Sequence, residues 1–384
     1  MVVEVLDDDP DDHGPDTLRG IIWDAAKVGC SWYSRYPANA FWTVKQGSPN
    51  SDIIEPGLSH VRIWALNEAT GYGPKLLFAG RIGDPNEAGD DVIWTAWNYL
   101  AELSLSRTGY QRYYKNKKLG SEIVQHEWNQ DSGDYTNYGA KAQTHSLLAH
   151  VKTGTIQDPR NATDTFDITT DAQFGVIDVP RLLFFYDLSE MGRANTTNNV
   201  TFEITRSLDP HFNFWKNRGS HLDGRILSFP GIIRDYQYVP GVLDIRNDLA
   251  TIGMKNSKAV EIVKTITAGK YGINQFGLRQ DTFTIKTLAG YKNIDDLDAG
   301  QFNAQSAITQ RAVREASTLT RTLRLDLRPF AFELFDGWDL EDTVRVQIER
   351  GATHINADYR IIGVRAEMDE NGFRPQILVT LPSS

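Results

Sequence analysis

Apolar residues fall in short runs broken by Pro, Gly, Asn and Ser between residues 18 and 94. Ile21-Ile22-Trp23, Ala40-Phe41-Trp42-Thr43-Val44, Val61-Arg62-Ile63-Trp64 and Leu76-Leu77-Phe78-Ala79-Gly80 are the clearest. Runs of that length and spacing predict the strands of a β-sandwich or barrel. The period changes after Trp94. Trp97, Leu100, Ala101 and Ser104 share one helical face, which predicts a helix over 94–107. Residues 108–160 are polar and rich in Tyr, Asn, Gly and Gln, as expected of a mixed segment with surface loops. Residues 163–240 return to strand-like runs such as Val200-Thr201-Phe202-Glu203-Ile204-Thr205. Farther on, Ala304, Ile308, Ala312, Ala316 and Leu319 recur at helical spacing and predict a long helix ending near Thr320. Strands are expected again at 322–325, 344–348, 359–364 and 377–381. Asn371-Gly372 is the strongest short hairpin signal in the chain.

The pattern holds a faint internal repeat. Val61, Gly80 and Ile93 at the front correspond to Val344, Gly363 and Ile377 near the end. The first spacing is 19 positions in both copies, and the second is 13 in one and 14 in the other. Each copy reads as a run of strands with a glycine in the middle one. Two similar β modules per chain become six in a trimer, so the repeat points to symmetry matching rather than to a pocket.

At 384 residues the chain has room for two or three domains with their own cores. The resulting fold class is mainly β with α+β elements. It has a first β-barrel-like domain with a trailing helix over 1–107, a mixed α+β domain over 108–240, and a second β-barrel-like domain with the long helix over 241–384. A formal net charge of −10 disfavours general nucleic-acid binding. The single cysteine, Cys30, excludes an internal disulfide and a thiolate metal cluster. The start of the sequence lacks the basic and apolar regions of a signal peptide, and the apolar cluster Leu182-Leu183-Phe184-Phe185-Tyr186 is too short to cross a bilayer. A soluble protein made in a cytoplasm is expected.

The usual chemical constellations are missing from the text. It has no phosphate-cradling glycine loop, no Gly-x-Ser-x-Gly and no His-Glu-x-x-His. The Asp-rich stretch 7–16 lacks the glycine and terminal glutamate of a calcium loop and reads as solvated. His145 and His150 lie five residues apart and do not share a helical face. Asp339, Glu341 and Asp342 are expected on a solvated strand edge. No catalytic residue, metal ligand or cofactor is predicted. Trp32-Tyr33-Ser34-Arg35-Tyr36 motivates one alternative, a carbohydrate-binding or carbohydrate-active β protein at a host cell surface, with exposed aromatics as sugar platforms.

Two further stretches carry a resemblance. Tyr271-Gly272 opens a polar turn, Ile273 to Asp281, ahead of the long helix. Arg234-Asp235-Tyr236-Gln237-Tyr238 is followed by Asp244, Asn247 and Asp248. Together with Phe78-Ala79-Gly80-Arg81 and the helix after it, this ordered set resembles the tail hub proteins of long-tailed, siphovirus-type phages. These are the minor tail proteins of actinobacteriophages, similar in architecture to the baseplate hub of contractile-tailed phages. The resemblance implies a structural virion protein without enzymatic activity, assembled in the host cytoplasm and placed at the tail tip. It implies a homotrimer whose two β-barrel domains per chain form a pseudo-hexameric ring around the DNA channel. The implied partners are the tail tube or distal tail protein ring, the tape measure protein, and tip or central fibre proteins. Genomic DNA would pass without specific binding. The expectation is the hub itself, without an appended peptidase, lysozyme or long fibre domain, cell-wall cleavage and receptor binding falling to partners. Three copies would carry about −30 formal charges, either facing the lumen and repelling DNA or keeping the outer surface soluble.

Overall fold

The alternation along the first hundred residues becomes strands with one buried face. β4 (Tyr36–Lys45) buries Ala38, Ala40, Trp42 and Val44 and turns the residues between them outward. The same period shapes β1 (Val2–Asp8), β2 (Pro15–Ile22), β3 (Lys27–Tyr33), β5 (His60–Asn67), β6 (Tyr72–Ile82), β7 (Asn86–Ala88) and β8 (Asp91–Asn98). The computed structural model of the chain describes residues 1–11, 14–48, 52–67, 72–106, 112–114, 124–128, 148–156, 174–176, 180–194, 200–216, 218–240, 245–255, 258–284, 309, 310, 312, 313, 316, 321–329 and 338–381.

Beyond a 3-10 helix at Tyr99–Ser104 come β9 (Arg112–Tyr114), α1 (Gln125–Trp128), β10 (Lys152–Ile156), β11 (Phe174–Val176), α2 (Arg181–Ala194), β12 (Val200–Ile204) and β13 (His211–Lys216). The chain continues through β14 (His221–Phe229), β15 (Ile233–Pro240), β16 (Asp248–Lys255), β17 (Lys258–Thr265), α3 (Ile273–Phe276) and β18 (Gln280–Thr284). It finishes with β19 (Arg321–Leu327), β20 (Thr343–Arg350), β21 (Thr353–Asp369) and β22 (Gly372–Thr380).

Fourteen strands make one sheet. Its path runs β15-β19-β22-β21-β3-β4-β8-β6-β5-β1-β2, with β20 joining β14 to β21 and β7 beside β8. At its centre β21 pairs antiparallel with β3, setting Gly363 opposite Tyr33 and Met368 opposite Val28. Strands from both ends of the sequence therefore share one core, in which Val3, Trp42, Ile63 and Phe78 join Leu325, Val346, Tyr359 and Val379. A twisted sheet of this width encloses a single core by curving over it.

A second core belongs to the middle of the chain. Phe184, Phe185, Phe202, Phe212 and Phe214 pack with Trp128, Leu100 and Leu103, and the Trp128 ring stacks on Phe212 with centroids 4.1 Å apart. The small sheet β10-β13-β12 supplies one wall and α2 another. Residues 245–255 and 258–284 hold a further sheet, β17-β16-β18, whose Thr251 shares a buried hydrogen bond of 2.6 Å with Thr309. The first and third segments expected from the sequence, 1–107 and 241–384, thus share a sheet, while 245–284 form one of their own.

Three local expectations are corrected. Residues 94–98 are strand, because Trp94 and Ala96 are buried and Thr95 is not; only the short 3-10 turn at 99–104 is helical. The apolar run at 182–186 lies in a helix rather than in a strand-like stretch, with Phe184, Phe185, Leu188 and Ser189 on its buried side. In the long helix, Ala304, Ile308 and Leu319 lie outside the described residues. Residues 309, 310, 312, 313 and 316 are helical, and Thr309 and Val313 form the buried face, with Ala312 and Ala316 half-buried. The hairpin at 369–372 forms as expected: Gly372 takes a φ of 96° and pairs with Asp369, so the glycine follows the turn.

Candidate functional site

The repeat positions sit on two antiparallel strand trios, β5-β6-β8 and β20-β21-β22, each with its glycine on the middle strand. Both glycines permit a close approach. A Cβ on Gly80 would lie 2.1 Å from the carbonyl oxygen of Trp97, and one on Gly363 would lie 2.8 Å from Cδ1 of Tyr33. The registers differ. Val61 faces Gly80, whereas Val344 faces Tyr359. Ile93 pairs with Thr43, and Ile377 pairs with Val364 and Leu325. Equal spacing in sequence therefore corresponds to a shared strand order without a shared register.

Three residues of the family-like motif meet. Asn247 is fully buried, and its Nδ2 donates to the carbonyls of Tyr271 (3.1 Å) and Gly277 (2.7 Å) while its Oδ1 accepts from the amide of Arg279 (2.8 Å). Gly272 precedes α3 where a Cβ would strike the carbonyl of Ala268 at 2.4 Å. The Tyr271 ring meets Phe276 edge-on at 5.4 Å, with Lys270 over one ring and Arg279 over the other. Asp235 and Tyr236 stand elsewhere, on the terminal strand β15 opposite Asp326 and Leu325.

Two polar seams tie the middle of the chain to the large sheet, and no spacing in the sequence marks either as a cluster. In one, Arg206 donates to Asp339 (2.8 Å), while Arg218 donates to Glu203 (2.6 Å) and Asp339 (3.1 Å). Glu341 accepts from Ser34 and lies 3.5 Å from Arg360. Glu341 and Asp342 are buried, which corrects the expectation of a solvated edge; the nearby Arg360 charge and hydrogen bonds from Ser34 and the Ser220 amide compensate the burial. Arg35 and Glu341 both take positive φ, 63° and 74°, at this seam. Gly219 is needed there because a Cβ would sit 2.1 Å from the Glu341 carbonyl oxygen.

In the other seam, buried Arg81 bridges Glu102 (2.8 Å) and Asp8 (2.9 Å). Asp8 also meets His60 Nε2 at 2.9 Å, and His60 Nδ1 lies 3.0 Å from the Tyr99 hydroxyl. His150 packs edge-on against Tyr99; His145 lies outside the described residues. Burial, reinforced by the Arg81 charge, lowers the His60 pKa to about 4 despite its bond to Asp8, leaving the ring neutral near pH 7. These seams are clamps between packed parts. Among the described residues no group of three or more His, Cys, Asp or Glu is placed to hold a metal. No described helix is long and apolar enough to cross a membrane. In the aromatic stretch, Trp32 is buried beneath Arg206, and Tyr33 and Tyr36 are exposed.

No protein-family model and no curated protein matches the chain. Solved structures do match its fold. The 43 kDa tail protein of prophage MuSo2 from Shewanella oneidensis is 12% identical, with a TM-score of 0.57, covering 100% of this chain and 99% of that one. The tail protein from Neisseria meningitidis MC58 is 9% identical, with a TM-score of 0.56 over 99% and 96% of the two chains. A chain of the Francisella PdpA–VgrG complex is 9% identical at a TM-score of 0.51, covering 100% of this chain and 58% of that one. The chain has the mainly β fold of phage tail proteins.

Proposed function

We propose that this chain is a structural, non-enzymatic component of a phage virion: a homotrimeric tail-tip hub. The observation that carries the reading is likeness to tail proteins over the whole length of both chains. The pairing of β3 with β21 supports the finer part. It sets a front group of strands beside a rear group in one chain, as two ring-forming groups per chain require. Two groups per chain and three chains make a pseudo-hexameric ring, the small closed arrangement that reconciles a threefold tip with a sixfold tube. In this reading 1–107 and 241–384 hold the two ring-forming domains and 108–240 the mixed one. One face of the ring meets the tail tube or distal tail protein ring, and the other meets tip or central fibre proteins. The tape measure protein and then genomic DNA occupy the channel, with no specific DNA binding.

Light scattering on the purified chain, with electron micrographs of the particles, tests the proposal. A mass near three times the 43.2 kDa chain and a threefold ring with a central channel are expected. A monomer at micromolar concentration, or a ring of six copies, overturns it.

A further inference from the structure

On the side of the large sheet turned away from its core, one row of residues crosses four strands. Arg324 on β19 stands opposite Leu378 on β22, Leu378 opposite Gly363 on β21, and Gly363 opposite Tyr33 on β3. Gln376 and Arg365 face each other in the next row. The register slips between Ile361 and Gly363, and this bulge brings a residue without a side chain to the middle of the row. The result is a shallow groove of about 340 Å³, counting its open mouth, with Gly363 and Leu378 between Arg324 and Tyr33.

Among the described residues, the side chains of Arg324, Gln376 and Tyr33 have no hydrogen-bonding or ionic partner. The carboxylates nearby are already engaged. Glu367 accepts from Arg365 (2.9 Å) and lies 3.8 Å from Lys27, and Asp326 lies 3.6 Å from Arg234. The groove therefore presents a guanidinium with free donors, a carboxamide, and the ring of Tyr33, which is 41% exposed. Its four strands are each hydrogen-bonded on both sides, so a peptide cannot bind here by adding a strand. Tyr36, opposite Tyr33 in register and 54% exposed, continues the aromatic surface past the groove.

We propose that this groove binds an acidic sugar residue, a hexuronate, within a polysaccharide that runs on over Tyr36. Arg324 takes the sugar carboxylate in a two-pronged pair of charge-assisted bonds, Gln376 bonds its hydroxyls, and its C–H face lies on the Tyr33 ring. Gly363 seats that ring against the sheet, since a Cβ there would lie 2.8 Å from Cδ1 of Tyr33. A neutral sugar forgoes the Arg324 contact, and a carboxylate without a sugar ring forgoes the Tyr33 contact, so the two groups together select for the acid sugar. The site is independent of the ring reading, because one chain supplies every residue of it.

Saturation-transfer NMR on the full chain tests it, with tri-galacturonate as the probe and galactotriose as its uncharged control. The acid should bind with a Kd of about 1 mM and the neutral sugar about tenfold more weakly. Arg324→Gln should bring the acid down to the level of the neutral sugar, and Tyr33→Ser should weaken both. Lys152→Gln, which removes the same charge from the exposed Lys152–Asp209 pair on another sheet, should leave both unchanged. No transfer at about 10 mM probe, equal binding of the two sugars, or an Arg324→Gln chain that keeps its preference overturns the site and leaves the hub reading standing. Loss of binding in Lys152→Gln as well reduces the effect to net charge and also overturns it. A triglutamate peptide that binds as tightly as the sugar acid assigns the groove to a protein carboxylate and overturns the sugar.

Discussion

Removing the Asn247 side chain should loosen the loop 267–279 more than any exposed substitution in it. Asn247→Ala strips partners from two carbonyls and one amide, at Tyr271, Gly277 and Arg279, in a fully buried setting. A buried polar group left unpaired costs about 1–3 kcal/mol, and the loop can relax to recover part of that, so the expected loss is about 3–5 kcal/mol. Asn247→Asp is the sharper probe. It keeps the acceptor for the Arg279 amide but turns the 3.1 Å and 2.7 Å donor contacts into oxygen facing oxygen. It should therefore cost at least as much as alanine, despite being nearly isosteric. Hydrogen exchange reads the effect at the amides of Ile266 and Gly277, which are bonded to Asn247 and Ile273 carbonyls, while urea unfolding gives the free energy. An alanine variant with an unchanged urea midpoint, or an aspartate variant milder than alanine, would refute the view that this side chain orders the loop.

The two repeat glycines should behave differently: Gly80→Ala meets the Trp97 backbone at 2.1 Å and should cost about 3 kcal/mol or more, whereas Gly363→Ala meets the exposed Tyr33 ring at 2.8 Å and the Leu378 Cβ at 3.2 Å and should cost about 1–2 kcal/mol, by urea midpoints. The depressed His60 pKa makes the unfolded chain bind its proton first. The contribution is intact above pH 6.5 and is lost progressively as pH falls toward about 4, reaching about 3 kcal/mol; His60→Gln should flatten this slope in urea titrations from pH 7 to pH 4. Arg218→Met strands Glu203 and should cost about 2–3 kcal/mol in the same assay, with Glu203→Gln in the double variant restoring part of it; a double variant no better than the single would show that the Glu203 charge is not what the arginine compensates.

Strands with one wet face were legible because alternation is a local signal. Trp42 and Val61 announce β4 and β5 from their immediate neighbours. Residues 94–107 misled because Trp97, Leu100, Ala101 and Ser104 match a helical period while Trp94-Thr95-Ala96 match a strand; pairing with β4 decides the conflict, and that partner is not local. The run 182–186 is apolar on every side, which fits a buried strand and a buried helix equally. The burial of the acidic turn at 339–342 is not legible in sequence, because its arginines stand 133 and 121 positions upstream, with no spacing rule to connect them. Tyr271 and Gly272 stand out only by resemblance, and their physical role follows from Asn247, more than twenty residues earlier, whose three bonds no pattern of hydrophobicity displays.

The pairing of β3 with β21 also sets a timetable. A ribosome makes position 33 long before position 363, and the strand that completes the outer side of β3 is among the last described parts to emerge. Until then, β3 presents a row of unbonded amides and carbonyls beside Val28, Cys30 and Trp32, whose core is still missing the side chains that β19 to β22 supply. The closing step joins segments separated by most of the chain, so loop entropy delays it and leaves a half-built sheet open to the wrong neighbour. Several copies growing near one another would expose the same edge at the same moment. Crowded synthesis should therefore favour strand exchange between nascent chains, and slower initiation or a holding chaperone should raise the yield of correctly closed protomers.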